Sequence, residues 1–341
     1  MTDSAQAPLD ALKRPIHDLR ISLIDRCNLR CTYCMPAEIF GPDFAFLPRK
    51  ELLSFDEILL LVKAFARAGV SKIRLTGGEP LLRPKLPELI EKMRQISSIE
   101  DIALTTNAML LKKHVASLRD AGLSRVNVSL DALDEGVFKE MSGGRGAVDR
   151  VLEGIQSAVD AGVPAKVNMV VERGVNETEI LPMAAYFKER GITLRFIEFM
   201  DVGSTNDWNR DKVFSSKEIL DTLQSRWHLE AVSPSYRGEV AKRWAYSDGS
   251  GEIGIISSIS DPFCGDCSRA RISADGKLYT CLFASLGYDF KNWIRSGESE
   301  DQIFSRVCKI WGARADRYSE LRATGRTNES EPKVEMSYIG G

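Results

Sequence analysis

The chain has 341 residues, 43% of them hydrophobic, with 46 basic against 48 acidic side chains and a formal net charge of -2. That is enough apolar material for a full core, which excludes a disordered chain, and too little charge bias to recruit nucleic acid or an anionic membrane through a bulk field. No apolar run approaches the length of a membrane span, and the opening MTDSAQAPLDALKRP lacks the apolar core of a secretory signal, which together predict a cytoplasmic protein.

From residue 20 to residue 200, short β-branched runs alternate with helical ones, the pattern of parallel strands joined by crossover helices. In chain order the predicted strands are LRISLI, KIRLT, DIALTT, RVNVSLD, AKVNMVV and LRFIEFM. Helices are signalled by the apolar periodicity of LSFDEILLLVKAFARAG, where Ser54 and Glu57 form a capping box, and of PKLPELIEKMRQI. The order predicts an α/β barrel, open or closed, with an appendage after it.

Residues two apart in a strand share a face. Ile21 and Leu23 then oppose Arg20 and Ser22; Ile73 and Leu75 oppose Lys72, Arg74 and Thr76; Val126 and Val128 oppose Asn127, Ser129 and Asp131; Val167 and Met169 oppose Lys166 and Asn168. The apolar set belongs against the helices, which leaves a polar, cationic set inside. A barrel interior is normally filled by branched apolar side chains, and unpaired buried charge costs several kcal/mol, so the pattern predicts a large polar anionic ligand in the lumen. The alternative is a sheet with one wet face.

Ligand loops in such barrels follow the carboxyl ends of the strands, and the least ordinary peptides of this chain lie there. After the first strand, RCNLRCTYCMP spaces Cys27, Cys31 and Cys34 as C-x3-C-x2-C; after the second comes Thr76-Gly77-Gly78-Glu79-Pro80, where the glycines let backbone approach a ligand and Glu79 offers a carboxylate. Three thiolates suit an iron-sulfur cube with one open iron, whereas a structural zinc needs a fourth ligand, and His17, His114 and His228 are not at zinc spacing from this loop. A second triplet, Cys264, Cys267 and Cys281 in DPFCGDCSRARISADGKLYTCLF, again offers three thiolates, for a cube or for a zinc knuckle completed elsewhere. In a reducing compartment such triplets read as metal ligands and not disulfides, and Cys308 stands apart as a small apolar residue.

The first triplet, Tyr33 within it and the GGEP run resemble the radical S-adenosylmethionine superfamily. The resemblance implies a partial (β/α)6 barrel of TIM type, a [4Fe-4S] cluster on Cys27, Cys31 and Cys34, and S-adenosylmethionine chelating its open iron. Within that superfamily the second triplet, RLTGGEPLLR, VSLDALD, RFIEFM and the terminal MSYIGG resemble the GTP 3',8-cyclase family of molybdenum cofactor biosynthesis. This implies residues 1–230 as the radical barrel and 231–341 as a second-cluster domain, with a second [4Fe-4S] cluster on Cys264, Cys267 and Cys281, that closes the open side of the barrel. It also implies a homodimer that hands its product to cyclic pyranopterin monophosphate synthase.

Matched position by position, the resemblance implies S-adenosylmethionine contacts at Tyr33, Gly78, Ser129 and Met200, joined by Glu79 and Asn168 from their strand-end places. It implies GTP contacts at Arg20, Lys72, Arg74, Thr105, Lys166, Arg195, Arg269, Ala270 and Arg271. Arg20, Arg269 and Arg271 would act on the reacting nucleotide, and the tail residues Gly340 and Gly341 would enter the active site, where composition alone reads a frayed terminus. The chain departs from the family pattern at Ile24, Ala108, Asp201, Ser268 and Ala270. A peptide-modifying radical enzyme and a non-catalytic two-cluster electron carrier are the rival readings.

Overall fold

The computed structural model describes residues 7–324 and 333–340. Its spine is a single sheet. Strands β1 (Asp18–Ser22), β2 (Lys72–Thr76), β3 (Asp101–Thr106), β4 (Arg125–Ser129), β5 (Ala165–Val171) and β6 (Thr193–Glu198) pair in sequence order, every pair parallel. These are the six strands expected: β2, β3 and β5 match in full, while β1, β4 and β6 each end two residues earlier where the chain turns into a loop.

The remainder of the chain does not form a separate sheet. After β7 (Leu229–Val232) and β8 (Lys242–Tyr246), strand β9 (Glu252–Ile256) joins β6 in parallel, and β10 (Arg269–Ile272) joins β1 in parallel at the opposite edge. The antiparallel partners β7 and β8 extend one edge, and β11 (Lys277–Tyr279) and β12 (Tyr288–Asp289) extend the other. Eight strands, from β10 through β1–β6 to β9, therefore run parallel as a nearly complete barrel. The segment between β9 and β10 crosses the gap and carries Cys264 and Cys267. Sequence periodicity missed β9 and β10 because neither follows a crossover helix of its own; both are short runs in a hairpin-rich stretch.

The core lies outside the barrel wall. Leu19, Ile21, Ile73, Leu75, Val126, Val128, Val167 and Met169 join one apolar cluster with Ile58, Leu61, Val62 and Phe65 of the helix Phe55–Arg67. Each such side chain contributes about 1.5–3 kcal/mol by leaving water. The expected capping box starts that helix: Ser54 Oγ accepts from Glu57 N–H, and the Glu57 carboxylate accepts from Ser54 N–H at 2.6 Å.

Candidate active site

Parallel pairing lines up the inward side chains in tiers. Lys72 and Arg269 flank Asp18 in register, and Arg74 and Arg271 flank Arg20, so three arginines stand side by side across β10, β1 and β2. On the opposite wall Thr105, Asn127 and Lys166 form one row, and Ser129, Asn168 and Arg195 another.

Most of these residues face one cavity of about 1450 Å³, its open mouth included. Arg20, Arg74, Thr105, Arg195, Arg269 and Arg271 line it together with the first cysteine triplet, Tyr33, Gly78, Glu79, Ser129, Asn168 and Met200. Among the expected contacts four stand differently. Lys72 lies at the strand's start with its ammonium 3.9 Å from the centre of the Tyr236 ring, and Lys166 is half-buried, its ammonium destabilised by burial and then by Arg195. Ala270 places its methyl in the outer core, because alternation sends it to the face opposite Arg269 and Arg271; any contact it makes with a luminal ligand is through its backbone. Gly341 lies outside the described residues, and Gly340 is placed against Thr76 and Arg271.

The protein compensates the luminal charge poorly. Burial, and then Arg271, Arg74 and Arg269, hold Arg20 well below the usual guanidinium value. Burial with Arg125 brings Arg74 to about 10, burial with Arg74 and Arg125 brings Arg195 to about 9, and burial with Arg269 brings Arg271 to about 9. Arginine does not deprotonate in proteins, so these depressions express how strongly the lumen favours an anion. Thr105 Oγ1, Asn168 Oδ1, Asn127 Nδ2 and Arg195 Nε are also buried without a hydrogen-bond partner, which is costly unless a polar ligand meets them.

The first cysteine loop is held rigidly at the carboxyl end of the barrel. Gly78 N–H donates to Ile24 O at 2.7 Å and Glu79 N–H to Arg26 O at 2.8 Å. A Cβ on Gly78 would stand 2.2 Å from the Arg26 carbonyl oxygen. Gly77 and Gly78 line the cavity as expected, and Gly78 in addition admits the backbone that leads into Cys27. The Glu79 carboxylate accepts from Leu81 N–H, Thr106 Oγ1 and Asn107 N–H at 2.8–3.0 Å, pinning the second strand loop to the third, and burial pushes it up to about 7. Tyr33 Oη donates to Asp131 at 2.9 Å, while Asp131 also accepts from Val170 N–H.

The second triplet lines an adjoining cavity of about 550 Å³ that shares Met200, Ser258, Phe263, Arg269, Arg271 and Leu282 with the first. Arg269 and Arg271 thus stand on the divide between the two thiol triplets. Burial raises Cys27 to about 11, Cys34 and Cys281 to about 12, and Cys31 as well; burial would also raise Cys267, but Arg269 and Arg314 overcome it and hold the thiol at about 6.

Each triplet fits an iron-sulfur cube. All the cysteines are free, their thiols face cavities, and among the described residues no three His, Cys, Asp or Glu side chains converge on a single-ion position. A cube is gripped at three separate corners and needs no such convergence. Asn107 adds a donor 3.7 Å from Cys27 Sγ. Alternation already puts Asn127 and Asp131 in the inward polar set, and Asn107 follows the end of the third strand, though none of the three is assigned a ligand from sequence; nothing local marks Arg14 or Arg314, which reach the second triplet from distant parts of the chain.

Two family models match. The Radical SAM superfamily model covers residues 21–187, and Molybdenum Cofactor Synthesis C covers residues 192–320. In fold the chain resembles Streptococcus suis SuiB bound to S-adenosylmethionine, with a TM-score of 0.61 and 15% identity over 92% of this chain and 69% of that one. It also resembles native anSMEcpe with bound AdoMet, with a TM-score of 0.57 and 16% identity over 94% and 93%. Barrel, cysteine loop and these matches define a radical S-adenosylmethionine protein, a class that works with a [4Fe-4S] cluster and S-adenosylmethionine.

Closer relatives narrow the class. The GTP 3',8-cyclase of Xanthomonas campestris pv. campestris is 50% identical over 343 aligned positions covering 100% of both chains, and that of Staphylococcus haemolyticus is 49% identical over 97% of this chain and 98% of its own. The chain belongs to the GTP 3',8-cyclase family.

Proposed function

We propose that this chain converts GTP to (8S)-3',8-cyclo-7,8-dihydroguanosine 5'-triphosphate, the opening step of molybdenum cofactor biosynthesis. The observation that carries the reading is a cation-lined lumen continuous with two thiol triplets. A [4Fe-4S] cluster on Cys27, Cys31 and Cys34 would supply, by reductive cleavage of S-adenosylmethionine, a 5'-deoxyadenosyl radical that takes the hydrogen at C3' of GTP; addition of the C3' radical to C8, followed by one electron from a reductant and one proton, would give the 7,8-dihydro product.

The chain's own residues bind and orient. Arg20, Arg74 and Arg195 present guanidinium forks to the triphosphate, with Thr105 supplying its unpartnered hydroxyl, while Lys72 and Lys166, outside the cavity lining, add positive charge at the strand starts. Tyr33, Gly78, Glu79, Ser129, Asn168 and Met200 form the S-adenosylmethionine side of the cavity. Arg269 and Arg271, between the chambers, stabilise negative charge on the nucleotide as its ring system changes. Met200, Phe263 and Leu282 line both chambers and keep water from a radical. Gly340, hydrogen-bonded through its carbonyl to Arg271, fixes that guanidinium.

In this reading the second triplet holds a second [4Fe-4S] cluster that anchors the nucleotide, residues 1–230 carry the radical chemistry and residues 231–341 the second cluster. The protein works as a homodimer and delivers its product to cyclic pyranopterin monophosphate synthase. The likeness to SuiB, also solved bound to precursor peptide SuiA, is one of fold alone, and the luminal cations suit a triphosphate better than a peptide.

The test separates the triplets. C264A/C267A/C281A keeps S-adenosylmethionine cleavage and loses GTP cyclisation, while C27A/C31A/C34A loses both, measured anaerobically as 5'-deoxyadenosine and cyclised nucleotide. Cyclisation surviving removal of the second triplet would refute its anchoring role, and wild-type protein with both clusters that yields neither product would favour an electron carrier.

A further inference from the structure

The second triplet is joined to the rest of the molecule by a buried ionic network that no motif announces. Asp10 is 3% exposed and lies near the start of the chain. Its Oδ2 accepts from Arg14 Nε at 2.5 Å and from Arg314 Nη1 at 3.2 Å, and its Oδ1 accepts the backbone N–H groups of Leu12 and Arg14, both at 2.9 Å. One carboxylate therefore fixes two guanidinium groups 300 positions apart in sequence.

Both guanidinium groups then reach the cysteine loops. Arg14 Nη1 donates to Cys264 O at 2.7 Å and to Asp316 O at 2.9 Å. Arg314 Nη1 donates to Cys267 O at 2.7 Å, and its Nε donates to the carbonyl of Thr280, the residue before Cys281, at 3.1 Å. Every cysteine of the triplet is thus held at its own or its preceding carbonyl by a network whose side chains are at most 1% exposed at Asp10, Arg14 and Arg314. Asp316 closes the set, accepting from Thr280 Oγ1 at 2.5 Å and from Arg314 Nε at 3.3 Å.

We infer that Asp10, Arg14 and Arg314 are positioning residues for the second metal site, a brace that presets the three thiol-bearing loops for cluster binding. The inference rests on the second-cluster reading above. The reason for arginine is geometric: a planar fork holds two or three acceptors at fixed angles, whereas a lysine ammonium on a flexible stem does not. The reason for burial is that a ligand set drawn from a loop and a separate strand end has to be preorganised by its surroundings, which also set a cluster's potential.

The experiment compares anaerobically reconstituted full-length protein carrying R14K, R314K or D10N with wild type and with C264A/C267A/C281A. Iron content, the electron paramagnetic resonance signal and midpoint potential of each cluster, and S-adenosylmethionine cleavage are measured on each. The brace predicts that the substitutions halve the iron or shift the midpoint of the second cluster only, with the first cluster and S-adenosylmethionine cleavage intact and no rescue by the charge-conserving lysines. Full iron with an unshifted second midpoint in all three variants would overturn it. So would loss of both clusters or of folded protein in all three, since the network would then serve the fold and not the site. Unchanged iron in C264A/C267A/C281A would remove the second-cluster reading and the brace with it, an outcome distinct from failure of the brace alone.

Discussion

Arg195 shows at the scale of one side chain how the lumen is prepared for a ligand. Its Nη2 donates to Asn127 Oδ1 at 2.5 Å while its Nε and the Asn127 amide nitrogen have no partner, so the pair is held in place yet half satisfied. A charged hydrogen bond contributes about 1.5–3 kcal/mol, which corresponds to about ten- to a hundredfold in binding. Arg195→Lys is therefore expected to raise KM for GTP by about that factor with S-adenosylmethionine cleavage retained, measured by steady-state kinetics on the reconstituted protein. An unchanged KM would remove Arg195 from the triphosphate contacts. The family departures also have local readings. Ala108 sits at φ +59°, a left-handed conformation in which glycine is at ease and alanine costs about 1–2 kcal/mol. Asp201 accepts from Arg322, from Lys333 at 2.7 Å and from Tyr318 Oη at 2.9 Å, so it fastens the segment that leads to the tail.

Among the elements, the tail helix Met336–Ile339 is the one whose placement most constrains function. It is pinned at its start by Glu335, which accepts from Ser204 N–H and Thr205 Oγ1, both at 2.8 Å, and along its length by the Tyr338 bond to Asp275. Ile339 is fully buried, and Gly340 follows at φ +75° with no room for a side chain: a Cβ there would stand 2.1 Å from Thr76 Cγ2. Gly340→Ala is expected to displace the tail from Arg271 and to lower kcat for cyclisation by about tenfold or more, the equivalent of a lost charged hydrogen bond, with iron content unchanged. Wild-type turnover in that variant would show that the tail's entry is incidental. The strands were legible in advance because apolar–polar alternation runs through β1, β2, β4 and β5, and β3 and β6 are short apolar runs set between helical ones. The parallel seats of β9 and β10 were not, since which edge a short strand joins depends on long-range packing and leaves no local period.

For the whole molecule, the sequence disclosed the two thiol triplets and the cationic lumen, because metal ligands and inward charges are read directly from spacing and alternation. What stayed hidden is the set of contacts that brings them together: the Asp10 network, the Arg269 and Arg271 position between two chambers, and the seat of Gly340 on β2. Each joins residues hundreds of positions apart and exists only once the barrel is wound. In the proposed reaction a radical made beside Cys27, Cys31 and Cys34 reaches the ribose of a GTP held by the luminal arginines. Its most direct test is to supply GTP deuterated at C3' to the anaerobic, reconstituted protein with S-adenosylmethionine and dithionite, and to read 5'-deoxyadenosine by mass spectrometry. The account predicts one deuterium in 5'-deoxyadenosine together with a cyclised nucleotide; deuterium retained at C3' while 5'-deoxyadenosine forms unlabelled would contradict it.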